Sequence, residues 1–238
     1  MRNWTTGILL CSLLSAGCSS ESGSSAVDPL TDSELLPVAQ CTALHVRAFS
    51  RFIDGMQDLF DHFNGAPLAA GITEIDPDKE YQFALDLEPD GTPDFTVDLV
   101  VTGGDSISDG MQVNEIIMIS ITFQGAIVGA NAVTFSRGPS HLFISGPFSL
   151  ENSSGTCSFS TANVTTSWEV GDTDTIVPSL VFTSTESSSG TTSSFSGQLF
   201  FDFEDEVLLA FGELTVGGGA PVNKGFSIDP DTFEVGED

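Results

Sequence analysis

The sequence predicts a mainly β fold: an antiparallel meander of about nine or ten strands, curved into a half-barrel or barrel, with one N-terminal amphipathic helix packed on it. Three observations carry that expectation. From Lys79 onward, β-rich runs follow one another with short turn-rich pieces between them. Ahead of them, apolar residues recur at spacings of three and four between Val38 and Phe63. No further helical pattern separates the strands, so the short connections imply antiparallel neighbours.

Taken in chain order, residues 1–17 read as an export leader. They hold one basic residue (Arg2), an apolar run from Gly7 to Leu14 broken only by Ser12, and small residues at Ser15, Ala16 and Gly17. The run is too short to cross a bilayer as a helix. Residues 18–32, rich in Ser and Gly, read as a flexible tether. Residues 33–238 read as a single α+β domain.

The helix comes first in that domain. Thr31 and Glu34 have capping-box spacing, and Pro37 places the regular helix at about residues 38–63. Phe49, Phe52, Ile53, Met56, Phe60 and Phe63 form one apolar stripe, and Asn64-Gly65 supplies the stop. Such a stripe needs a surface to lie on, and residues 79–238 offer a sheet. The runs are "KEYQFALDL", "DFTVDLVVTG", "NEIIMISITF", "AIVGANAVTF", "SHLFISGPFSL", "GTCSFSTANVTTSWEV", "TIVPSLVFTSTE", "TSSFSGQLFFDF", "EVLLAFGELTV" and "NKGFSID". Turn-rich pieces such as "EPDG", "ENSSG" and "ESSSG" separate them. Alternation in the first run (Tyr81, Phe83, Leu85, Leu87) is that of a sheet with one wet face.

Composition narrows the partners. The chain has 34 acidic residues against six basic ones, a net charge of −28, which repels nucleic acid and anionic headgroups. With 40% hydrophobic residues and 19 phenylalanines, the composition is that of a folded domain. Of the four cysteines, Cys11 lies in the leader, leaving Cys18, Cys41 and Cys157 after it. In an exported protein, Cys41 and Cys157 are expected to pair as a disulfide that pins the helix to the sheet. The alternative is two buried thiols acting as small hydrophobes.

The stretch "LSAGC", Leu14 to Cys18, resembles the lipobox of bacterial lipoproteins. That resemblance implies a diacylglycerol on the Cys18 thiol, cleavage just before it and acylation of the new amine. It covers only the first twenty or so residues. Ser19 stands where an inner-membrane retention signal would have Asp, so the resemblance points to the outer membrane.

Two further stretches suggest chemistry. "DLEPDGTPDF", Asp86 to Phe95, resembles the calcium loops of integrin-type and related bacterial β-repeats. The resemblance implies side-chain ligands from Asp86, Glu88, Asp90 and Asp94, the carbonyl of Thr92, and a turn at Gly91. Pro-Asp-Gly between two strands is also a good hairpin turn without any ion. "LVVTGGDSISDG", Leu99 to Gly110, resembles the nucleophile block of GDSL-type esterases, with Ser106 as nucleophile. That family also needs a histidine near the C-terminus, and none follows His141. A Gly/Asp/Ser turn is the simpler reading. His45, His62 and His141 have no zinc-ligand spacing, and the first two, on the helix, read as structural.

The expected function is therefore a lipid-anchored, acidic, β-rich envelope protein acting as a non-enzymatic binding or structural module. Its partners are a membrane, through the anchor, and an apolar ligand or an envelope protein. A periplasmic carrier of an apolar ligand or lipid is the alternative, and an esterase comes third.

Overall fold

Leu35–Phe63 forms the helix α1 because its apolar residues fall on a continuous stripe with no interior glycine until Gly55. The computed structural model describes residues 34–63, 66–76, 79–88, 90–102, 116–137, 141–169, 179–188, 190–202 and 207–236. The helix starts at Leu35, three residues before the expected start. Pro37 sits inside its first turn, where a backbone N–H would have no intrahelical acceptor, so the missing donor costs nothing. Thr31 and Asn64-Gly65 lie outside the described residues.

Twelve strands follow, not nine or ten. They are β1 (Ile72–Asp76), β2 (Glu80–Leu85), β3 (Phe95–Thr102), β4 (Ile116–Gly125), β5 (Ile127–Arg137), β6 (His141–Asn152), β7 (Cys157–Glu169), β8 (Leu180–Ser188), β9 (Thr191–Asp202), β10 (Val207–Val216), β11 (Val222–Ile228) and β12 (Val235–Gly236). Each expected run became a strand, β2 to β11. The two additions are the edges. β1 is almost wholly exposed and lacks alternation, and β12 has two residues, so neither carried a signal. The β region thus begins at residue 72 rather than 79.

All twelve strands lie in sequence order in one antiparallel sheet with β1 and β12 as its two edges. The sheet is open rather than a closed barrel. It curves around α1, which touches β2 near one edge, β7 and β8 in the middle, and β11 and β12 at the other edge. Buried inward residues of β2–β11 form the core together with the helix stripe.

The core has two parts. The C-terminal half of α1, from Ala48 to Leu59, packs on β2–β6 and Val164. Phe52 is its centre: it is fully buried, with Phe83, Phe123 and Phe148 ring centroids at 6.3, 5.6 and 5.8 Å. The N-terminal half, from Leu35 to Val46, packs on inward residues of β7–β11. There Phe159, Phe182, Phe195 and Phe226 form a ladder with successive centroids 5.4, 5.7 and 5.1 Å apart.

The division runs through β7: Phe159, in the part paired with β8, belongs to the second cluster, and Val164, beyond that ladder, to the first. β7 pairs with β8 only from Cys157↔Glu186 to Ser160↔Thr183. Beyond that point β7 stays with β6 as far as His141↔Glu169, while β8 stays with β9 as far as Leu180↔Leu199. The sheet therefore opens into two wings, β1–β7 and β8–β12, and α1 lies across both. Phe52→Ala is expected to cost about 3–5 kcal/mol of stability in urea denaturation, as buried Phe truncations do. Phe211→Ala, on the outer face and 48% exposed, is expected to cost under about 1 kcal/mol.

Candidate functional site

Where the wings meet, the helix face turns polar. Cys41, Thr42 and His45 are all buried there, the first and last one helical turn apart and hence on one face. Cys41 is joined to Cys157, at the start of β7, by a disulfide with Cα atoms 5.7 Å apart. The bond closes a sequence separation of 116 residues, worth about 4 to 5 kcal/mol on the chain-entropy model. Thr42 donates to the Val38 carbonyl (2.8 Å), and its Oγ1 lies 2.8 Å from Ser184 Oγ on β8. One helical turn thus grips both wings.

His45 is fully buried beside the disulfide, its ring stacked on Phe159 at 6.1 Å. Its Nδ1 lies 2.8 Å from the Cys41 carbonyl oxygen, which can only accept, so Nδ1 carries the ring proton and donates it. The same Nδ1 is 3.6 Å from Cys157 Sγ and 3.9 Å from Cys41 Sγ. Nε2 is buried without a hydrogen-bond partner. Burial pushes the imidazole down to a pKa of about 4, against a smaller upward pull from the Cys41 carbonyl. Among the described residues, Cys41, His45 and Cys157 are the one group of three or more His, Cys, Asp or Glu whose donor atoms all lie within 4.8 Å of one another. Sequence reading gave His45 a generic structural role. The signal it passed over is the Cys-x-x-x-His spacing on a helix.

The Asp86–Asp94 loop joins β2 to β3 as expected, and one oxygen each of Asp86, Asp90 and Asp94 is engaged within the loop. Asp94 Oδ2 accepts from the Leu87 N–H (2.7 Å), Asp86 Oδ2 from the Gly91 N–H (2.8 Å) and Asp90 Oδ1 from the Thr92 N–H (2.7 Å). Asp86 Oδ1 is buried with no hydrogen-bond partner. Glu88 points elsewhere, into the groove beside α1 that holds Arg47. Gly91 has φ +85°, the left-handed turn conformation that only glycine adopts without strain. These contacts build a capped hairpin turn; the calcium expectation rests on the sequence pattern alone. Cys18 and Ser106 lie outside the described residues.

Two of the surface grooves among the described residues lie beside α1 and over the wing junction. One, of about 590 Å³, runs between α1 and the β11–β12 connection. Arg47 lies in it with Cζ 5.4 Å from the Phe233 ring centroid and Nε buried without a hydrogen-bond partner. Phe233 is held in the left-handed region, at φ +59°, with its N–H on the Asp229 carbonyl (2.8 Å). The other, of about 550 Å³, lies over β5–β8 where the wings part. Its floor includes Phe148 and Phe182 and its walls Ala130, Ala132 and Val181. Asn131 there accepts the Ser149 N–H (2.6 Å) across a break in the β5–β6 ladder.

The chain matches no family model, no curated protein and no solved structure at a significant level.

Two expectations follow from this geometry. His45 takes up its proton near pH 6.5 in the unfolded chain and near pH 4 in the fold. The unfolded chain therefore binds more protons between those values, so the contribution of His45 is complete above pH 6.5 and is lost as pH falls toward 4. It amounts to about 3 kcal/mol. Urea midpoints of the oxidised protein from pH 7 to pH 4 should fall more steeply than those of His45→Phe; equal slopes would remove the assignment. In the β2–β3 turn, Asp94→Ala leaves the Leu87 N–H without its acceptor and is expected to cost about 1–2 kcal/mol by the same measurement.

Proposed function

We propose that this chain is a lipid-anchored, non-enzymatic binding or structural module of the bacterial envelope. It is held through Cys18 at the outer membrane, on its periplasmic or surface side. The observation that supports a module over a carrier is the filling of the concave face. The space a half-barrel would offer a ligand is taken up by α1 and by buried side chains such as Phe49, Phe52 and Met56. The anchor rests on the lipobox-like "LSAGC", with residues 18–32 as the tether. Among the described residues, no helix is long and apolar enough to cross a membrane. The heavily acidic composition disfavours anionic polymers as partners.

A second reading, a carrier of an apolar ligand, is favoured by one feature. The groove over β5–β8 reaches Phe148 and Phe182 through the gap between the wings. Native mass spectrometry of the Cys18→Ser protein, which lacks the anchor, separates the two: the module carries no bound lipid, and a co-purified acyl lipid held without a covalent bond would replace it with the carrier.

Cells expressing the parent protein and fed radioactive palmitate are expected to label it in the membrane fraction. Cys18→Ser should be unlabelled and released to the soluble fraction. A Cys18→Ser protein that remains membrane-bound overturns the anchor.

A further inference from the structure

The cluster of Cys41, Cys157 and His45 has a geometry that a cross-link alone does not require. A disulfide needs the two sulfurs and nothing else; here a third donor atom, His45 Nδ1, lies 3.6 and 3.9 Å from them while its proton is held by the Cys41 carbonyl. A zinc ion binds thiolate sulfur at about 2.3 Å and imidazole nitrogen at about 2.0–2.1 Å, which at angles of about 110–120° sets S···N spans near 3.6–3.8 Å. The two observed spans lie at or close to that range before any atom moves. Among the spans between the three ligand atoms, the one that has to change is that between the sulfurs, which must part to roughly 3.8–4.0 Å on the same bond lengths; the Nδ1–H bond to the Cys41 carbonyl is given up when the metal takes Nδ1. A Cα separation of 5.7 Å leaves room for that by side-chain rotation.

We propose that, once the Cys41–Cys157 bond is reduced, Cys41, Cys157 and His45 bind one zinc ion, so that one set of side chains is a covalent cross-link under oxidising conditions and a metal site under reducing ones. The step balances. A dithiol reductant gives two electrons and two protons to the protein disulfide, becoming a disulfide itself and leaving two cysteine thiols. Zn²⁺ then displaces both thiol protons and takes the Nδ1 lone pair, while the ring proton that Nδ1 carried appears on Nε2.

Charge and coordination select the metal. Two thiolates, one neutral imidazole and Zn²⁺ sum to zero, which suits a site with both cysteines and the histidine buried. A monovalent soft cation on the same ligands would leave a buried net negative charge. The fourth tetrahedral position falls to a backbone oxygen: the Ser158 and Thr185 carbonyls lie 3.6 and 3.5 Å from Cys41 Sγ. These spans correspond to a sulfur and an oxygen sharing one zinc. The ligands come from α1 and β7, and the flanking carbonyls from β7 and β8, so the metal would tie together the elements that the disulfide ties.

The test uses the full chain with Cys11→Ser and Cys18→Ser, which leaves Cys41 and Cys157 as the only thiols. After anaerobic reduction with a phosphine, it is titrated with Zn²⁺ against a chromophoric chelator and, separately, with Co²⁺. The expected result is one equivalent of Zn²⁺ per chain and a Co²⁺ spectrum with thiolate charge-transfer and intense tetrahedral bands. The oxidised protein and Cys157→Ser should bind at least 100-fold more weakly. His45→Phe should keep two thiols yet lose at least tenfold in affinity. Circular dichroism is followed throughout, and if the reduced chain loses structure, zinc must restore it. Failure of the reduced chain to take up an equivalent overturns the proposal. So does equal binding by the oxidised form, Cys157→Ser or His45→Phe.

Discussion

The fold depends on one helix having to serve two sheets' worth of strands. An antiparallel sheet with a wet outer face must bury its inner face against something, and here that something is α1. Each large apolar side chain removed from water contributes about 1.5–3 kcal/mol. The phenylalanines of β2–β6 collect around Phe52, and those of β7–β11 around the first half of the helix. Neither wing has another partner among the described residues. Without α1 the strands would retain their ladders but expose both apolar faces, so the cooperativity of the domain passes through the helix axis.

The junction is where that arrangement is weakest. β7 and β8 share only a short ladder, and an apolar helix face alone would leave the strand backbones and hydroxyls there without partners. The chain answers with short, specific contacts: the Cys41–Cys157 bond to one wing, the Thr42–Ser184 contact to the other, and His45 filling the space beside them. Such groups cost free energy to bury, which the hydrogen bonds of Thr42 and of His45 Nδ1 offset in part, with His45 Nε2 left unpartnered. Unlike interchangeable hydrophobes, they also define a single position of the helix along the sheet.

Much of this was legible in the sequence, for physical reasons that differ by element. β2 to β11 announce themselves because half-buried strands impose alternation and their short links demand turn residues. β1 escapes that logic: its Glu74 and Asp76 make a charged edge that resists further pairing, so it carries no apolar period. The disulfide followed from parity and compartment, not from geometry. Pro37 misplaced the helix start because a proline is equally at home at position one or within the first turn. The pairing of Arg47 with Phe233 joins residues far apart in the chain, and no local pattern encodes it. For the Asp86–Asp94 loop, sequence placed the turn correctly, whereas which oxygens face inward depends on the backbone path.

The packing of the helix's first half against β7–β11 has a consequence for biogenesis. The N-terminal half of α1 finds its partners, Phe159 through Ile228, only in the last third of the polypeptide. Vectorial synthesis therefore delivers the helix long before its binding surface exists, and loop closure over that span is slow compared with local contacts. Until the final hairpins emerge, the nascent chain has an unsheltered amphipathic segment and no way to complete its interior. A polypeptide of this topology is well matched to a route that keeps it extended until the whole length has been delivered, with folding as one late, concerted event.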